Sequence, residues 1–186
     1  MKTLEYPFTK DAVQNLRAGE RVVLSGTVFT GRDRLHKFIG EGGTVPVSLK
    51  DGALFHCGPV MVKEQGGWKV LAAGPTTSIR EEPYMAGIIG QCGVRVIIGK
   101  GGMGAATAEA CKKHGCIYVH LVGGAAALTA RCVTEVKDVF FLREFGMAEA
   151  LWVLELAGLE GVVTMDAHGG NLHQDVWRNS QSNFNK

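Results

Sequence analysis

Between residues 83 and 122 the chain alternates between helix-type and strand-type segments, and this alternation limits its fold more than any other feature. Residues 83–92 read as a helix and 94–98 as a continuous apolar strand. Residues 103–114 read as an alanine-rich helix closed by Gly115, and 117–122 as a second strand. Short apolar runs separated by helix-length segments fit parallel strands buried on both faces and joined by crossover helices. The pattern continues with a short helix over 123–130, a strand over 139–142, a helix over 147–156 and a last strand over 162–166. The first half is richer in strands, at 21–29, 53–57, 60–62 and 68–72, with a hairpin-type turn at Gln65-Gly66-Gly67. Short helices are expected over 9–16, with Thr9 as N-cap, and over 33–39. The expectation is an α/β fold with a largely parallel sheet, in one domain spanning residues 1–186. The Asn- and Ser-rich tail at 177–186 is expected to fray.

At 186 residues the chain can bury a sizeable core, and 46% hydrophobic with 20% charged residues excludes a disordered or fibrous class. A net charge of +2 with scattered basic residues argues against a nucleic-acid partner. The first residues show no apolar leader, and no uninterrupted apolar run approaches the roughly 18 residues of a membrane span. A cytoplasmic protein is expected. The five cysteines, Cys57, Cys92, Cys111, Cys116 and Cys132, are odd in number and contain no Cys-x-x-Cys pair, which reads as free thiols in a reducing compartment. The gap between Cys111 and Cys116 matches one ferredoxin spacing, but the companion two-residue gap is missing, so no cluster is expected on this chain.

The chemistry lies in three loops. Ala73-Gly74-Pro75-Thr76-Thr77-Ser78-Ile79-Arg80 gathers a turn former, three hydroxyls and a guanidinium. Arg80 can grip a carboxylate with two parallel hydrogen bonds. Lys100 stands among glycines in Gly99-Lys100-Gly101-Gly102, after an apolar run, where backbone N–H groups can approach a ligand. Arg32 follows a third strand in Thr30-Gly31-Arg32-Asp33. Three strand ends, each followed by a cation, suggest one composite site for a small dicarboxylate.

Plainer readings stand beside these. Arg80 could pair with Glu81 or Glu82, and Arg32 with Asp33; Thr76 and Thr77 could be turn residues. The Lys100 loop lacks the Ser or Thr that a Walker motif places after its lysine, which argues against a nucleotide. The histidines show no metal spacing. Asp166-Ala167-His168-Gly169-Gly170 has the composition of a metal loop, but a structural turn is the simpler reading. Gly124-Ala125-Ala126-Ala127 would let another backbone approach closely, and Leu151 and Trp152 read as core.

Several motifs, in order, resemble a known family. Gly31-Arg32-Asp33 with His36, Gly58-Pro59, Gly74-Pro75-Thr76-Thr77-Ser78-x-Arg80, Ile98-Gly99-Lys100-Gly101-Gly102, Gly123-Gly124-Ala125-Ala126-Ala127 and Asp166-Ala167-His168-Gly169-Gly170-Asn171-Leu172 look like the β subunit of class I fumarate hydratase. The same module forms the C-terminal domain of single-chain class I fumarases and the β subunit of L(+)-tartrate dehydratase. The resemblance implies a single swivelling β/β/α-type domain with mixed sheets and flanking helices. It also implies a partner α subunit carrying a [4Fe–4S] cluster, in a hetero-oligomer such as α2β2. The implied reaction is reversible hydration of fumarate to malate, a step of the tricarboxylic acid cycle. The family's carboxylate-binding cations fall on Arg32, Arg80 and Lys100, and its proton-transferring threonine on Thr76. Tartrate as substrate, and a non-catalytic small-anion-binding module, are the alternatives. The chain departs from the pattern where Glu81-Glu82 follows Arg80 in place of a methionine and an acid, which puts two carboxylates near an anion site.

Overall fold

The computed structural model describes residues 1–184. These form nine strands and seven helices. In chain order they are β1 (Lys2–Glu5), α1 (Lys10–Gln14), β2 (Arg21–Gly31), α2 (Asp33–Gly40), β3 (Ala53–His56), β4 (Val60–Glu64), β5 (Gly67–Ala72), α3 (Glu82–Cys92), β6 (Val96–Gly99), α4 (Ala105–His114), β7 (Ile117–His120), α5 (Ala126–Arg131), β8 (Val133–Phe140), α6 (Leu142–Phe145), β9 (Leu151–Met165) and α7 (Leu172–Phe184), with a 3-10 turn at Ser78–Glu81 before α3. Local signals account for several boundaries. Thr9 Oγ1 accepts from Ala12 N at 3.3 Å and caps α1. Gly93 and Gly115 end α3 and α4 in the left-handed conformation that glycine adopts without penalty.

Seven strands form one mixed sheet in the order β1-β2-β3-β6-β7-β9-β8, and β4 and β5 form a hairpin. Strands β1, β2, β3, β6 and β7 run parallel. β9 is antiparallel to β7, β8 and β2. Because it pairs with both β2 and β7, the hydrogen bonding returns on itself through β2, β3, β6, β7 and β9 in a barrel-like ring. The sheet is therefore mixed, with five of its seven strands parallel as expected and β9 antiparallel to its neighbours.

Two cores follow from the period-2 alternation of strand side chains. One gathers Val28, Phe55, Ile98, Val119, Trp152 and Leu154, with hairpin residues Met61, Trp68 and Val70 packed on it. The other places Leu54, Ile97, Tyr118 and Val153 under helices α2, α3 and α4. The hairpin on one face and the helices on the other give the expected single-domain α/β arrangement with flanking helices.

One expected element is wrong in kind. Residues 147–156, read as a helix, contain a turn followed by the start of β9. Leu151–Leu154 are all buried because β9 is paired on both edges and packs into a core on each face. Such a run has no period-2 signature and resembles a buried helix. β8 also begins earlier than expected, at Val133. Residues 177–184 of the expected frayed tail lie in helix α7, and 185–186 lie outside the described residues.

Candidate active site

Gly31 lies opposite His56, Phe55 opposite Ile98, and Gly99 opposite His120. Gly31, His56, Gly99 and His120 therefore mark one level across the carboxyl ends of four parallel strands. In α/β sheets the loops beyond this edge form the usual ligand crevice. Arg32 follows β2 directly, with extended backbone at the N-cap of α2, and Lys100 follows β6. Their strands are separated only by β3. At a strand spacing of about 4.8 Å their backbones stand about 10 Å apart, close enough for two long cationic side chains to reach one diacid.

The Thr76 loop lies between them. Thr76 N donates to the His56 carbonyl at 2.7 Å and the Thr76 hydroxyl donates to the same oxygen at 3.0 Å. Lys100 N donates to Thr76 O at 3.3 Å, and Ser78 N donates to Lys100 O at 3.0 Å. Arg80, in the 3-10 turn, pairs with Asp33 at the start of α2, beside Arg32. On the other side, a Cβ added to Gly123 would stand 3.4 Å from Lys100 Cδ. The fold thus gathers Arg32, Arg80, Thr76 and Lys100 on one edge.

Residues 2–176 match the family described as Fumarase C-terminus. The chain belongs to this family. It is 46% identical over 179 residues to a candidate class I fumarate hydratase of Geobacillus stearothermophilus, covering 96% of this chain and 34% of that protein. It therefore spans about a third of that relative's length. It is 38% identical over 173 residues to the L(+)-tartrate dehydratase subunit beta of Escherichia coli K12, covering 92% of this chain and 86% of the relative. With a candidate L(+)-tartrate dehydratase subunit beta of Methanocaldococcus jannaschii it shares 35% over 181 residues, 93% of each.

Within this fold the arginines find acids other than their sequence neighbours. Arg80 pairs with Asp33 rather than Glu81 or Glu82, and Arg32 Nε lies 3.6 Å from Glu149 Oε1 rather than against Asp33. Among the described residues no carboxylate lies within ion-pair distance of Lys100. Glu149 also accepts from Arg34 N at 3.0 Å, in the first turn of α2.

The two carboxylates expected to crowd the anion site are directed elsewhere. Glu82 reaches the start of α4, accepting from Gly104 N at 2.8 Å, Thr107 N at 3.2 Å and Thr107 Oγ1 at 2.6 Å. It satisfies orphan donors and complements the positive end of the helix. Glu81 is 1% exposed, with Oε2 3.5 Å from His36 Nδ1. That nitrogen lies 2.8 Å from the Arg32 carbonyl, which can only accept, so Nδ1 carries the proton. Burial lowers His36 to about 4, leaving a neutral ring at pH 7. Burial likewise pushes the Glu81 carboxyl up to about 7, against the pull of Arg80, and Oε2 has no hydrogen-bond donor.

A carboxyl that holds its proton more tightly in the folded state stabilises the fold below its ordinary pKa, and this contribution fades as pH rises towards 7. Replacement by neutral glutamine removes the fading. The stability gain of Glu81→Gln over wild type is expected to be about 2 kcal/mol larger at pH 8 than at pH 5, read by urea unfolding. Equal gains at the two pH values would show that Glu81 does not titrate in this way.

The donor set of this chain does not fit a [4Fe–4S] cluster. Among the described residues no group of three or more His, Cys, Asp or Glu gathers as metal ligands. Burial pushes the Cys57 thiol up to about 12 and Cys116 well above the ordinary thiol range. The loop after β9 is a structural turn: Asp166 Oδ1 accepts from His168 N and Gly170 N, both at 2.8 Å, and Oδ2 from Ala18 N at 2.9 Å. The alanine stretch does allow a close approach, with Ala73 N donating to Ala126 O at 3.0 Å and Gly74 facing Ala126.

Sequence reasoning overlooked the buried polar layer beneath the site. His56 Nδ1 lies 2.8 Å from Ser78 Oγ, which accepts from the Tyr118 hydroxyl at 2.8 Å, and the His36 and His56 rings meet edge-on at 4.8 Å. The only hint in the sequence was polar residues at the ends of apolar strands. The glycines of the Lys100 loop also serve the protein's own packing. A side chain at Gly99 would overlap the Ser78 hydroxyl, and one at Gly102 would overlap the His173 ring.

Proposed function

We propose that this chain is the β subunit of an iron–sulfur hydro-lyase that reversibly adds water to fumarate to give malate. Its site would be completed by an α subunit in a cytoplasmic hetero-oligomer such as α2β2. The observation that carries the reading is the meeting of three cation-bearing loops around Thr76 at the carboxyl edge of the parallel strands. The names of the relatives, class I fumarate hydratase and L(+)-tartrate dehydratase subunit beta, point to the same chemistry.

Removing a proton beside a carboxylate develops an enolate-like dianion. Fixed cations around that carboxylate stabilise the charge, with one preorganised contact contributing about 2.7–4 kcal/mol. Arg32, Arg80 and Lys100 are assigned to the substrate carboxylates. Thr76 is assigned to proton transfer; its hydroxyl hydrogen rests on the His56 carbonyl, leaving the oxygen lone pairs available to accept. Before substrate enters, Asp33 and Glu149 keep the two guanidinium groups in place. The [4Fe–4S] cluster is assigned to the α subunit, and no step on this chain runs through it.

L(+)-tartrate is the second reading, favoured by the two β-subunit relatives that this chain covers almost end to end. The test is co-expression with the candidate α chain, followed by anaerobic assay with malate, fumarate and tartrate. Faster turnover of fumarate and malate is expected. Preference for tartrate would move the assignment to the second reading, and diacid binding without turnover would make the chain an anion-binding module.

A further inference from the structure

Ser78 has no part in the substrate contacts proposed above, yet it is fully buried at the junction of the site loops. Its Oγ lies 2.8 Å from His56 Nδ1 and accepts from the Tyr118 hydroxyl at 2.8 Å. Its backbone N donates to Lys100 O at 3.0 Å. His56 is also the residue whose carbonyl holds both the N and the hydroxyl of Thr76. Tyr118 lies on β7, next to β6, the strand that ends in Gly99 and leads to Lys100. One residue therefore links the end of β3 and the interior of β7 to the loop carrying Thr76 and to the backbone of Lys100. The space it occupies is reserved, because a Cβ at Gly99 would overlap it and come within 2.8 Å of the Tyr118 oxygen.

This cluster is suited to holding geometry rather than moving charge. Burial pushes the Tyr118 phenol up to about 12, so it remains a donor, and burial keeps His56 well below the ordinary imidazole range, so it remains neutral. All three groups are fully buried. In this enclosed site the low dielectric strengthens the two hydrogen bonds of Ser78 Oγ, which hold the three side chains together, while His56 Nε2 is left without a partner.

We infer that Ser78 is a positioning residue: its hydroxyl, held between His56 Nδ1 and the Tyr118 hydroxyl, sets the placement of Thr76 relative to Lys100. This rests on the reading of Thr76 and Lys100 as site residues. Misplacement by about 1 Å can cost about 100-fold in rate, so the effect should fall on kcat rather than on substrate binding.

The test uses the complex of this chain with its α partner, with rates expressed per assembled complex. Ser78→Ala is expected to lower kcat by about 10–100-fold with KM within about threefold. In a Thr76→Ala background the same change should lower the residual rate by no more than about twofold, because residues acting as one unit are not additive. Wild-type kcat in Ser78→Ala, or an equal fold-loss in the Thr76→Ala background, would overturn the inference. If Ser78→Ala does not assemble, Tyr118→Phe is read in the same way. A drop in kcat that vanishes in the Thr76→Ala background supports the inference, and no drop overturns it. A wild-type complex inactive on every diacid would remove the functional reading and this inference with it. An active wild type with an unimpaired variant would remove the inference alone.

Discussion

Arg80→Ala is expected to lower kcat/KM of the reconstituted complex by about 10²–10³, the usual loss when one preorganised contact to developing charge is removed. The side chain reaches the site edge from the 3-10 turn and is 53% exposed. Its pairing with Asp33 is a surface contact that contributes little to folding, so the melting temperature should barely change. Loss of turnover without loss of fold separates a binding role from a structural one. Arg80→Lys should recover only part of the rate, since an ammonium keeps the charge but lacks the planar fork that matches a carboxylate. Wild-type turnover in Arg80→Ala would remove this residue from the site.

Trp152→Ala is expected to destabilise the chain by about 3–5 kcal/mol, the cost of a large cavity in a well-packed core. Trp152 is completely buried on β9, meets Trp68 edge-on at 5.1 Å and donates from Nε1 to Met147 O at 2.9 Å. Its backbone N also donates to Thr30 Oγ1 at 3.0 Å, on the strand that delivers Arg32. Trp152→Phe keeps most of the apolar contact and should cost less, with the lost Nε1 hydrogen bond contributing about 1 kcal/mol. Chemical denaturation measures both. A loss below about 1 kcal/mol for the alanine variant would show that the hairpin and β9 do not share a continuous core.

These two residues differ in how far sequence alone could place them. Arg80 stood out because a guanidinium close to a Gly-Pro turn and three hydroxyls is a chemical pattern, and chemical patterns survive without knowledge of neighbours. Trp152 was recognised as core but assigned to a helix. Its neighbours are apolar on both sides because β9 pairs with β2 and β8 and packs into two cores, and that environment erases the alternation that marks a half-exposed strand. Glu81 and Glu82 show the same limit. As adjacent acids after Arg80 they read alike, yet one caps α4 and the other is buried against His36. Nothing local separates them, because the difference lies in which distant backbone each one meets.

Local chemistry was sufficient for the elements governed by contacts within a few residues. It found the Thr9 cap, the Gly115 end of α4, the parallel strand runs and the loops that carry Arg32, Arg80 and Lys100. The folded chain alone decided that β9 closes the ring and that the two arginines meet Asp33 and Glu149. It also decided that Ser78, His56 and Tyr118 share one buried network. Capping and turn formation depend on short-range hydrogen bonds written into neighbouring residues. Strand partners, ion pairs and buried hydroxyls depend on which remote segments arrive side by side, and only packing of the whole core determines that.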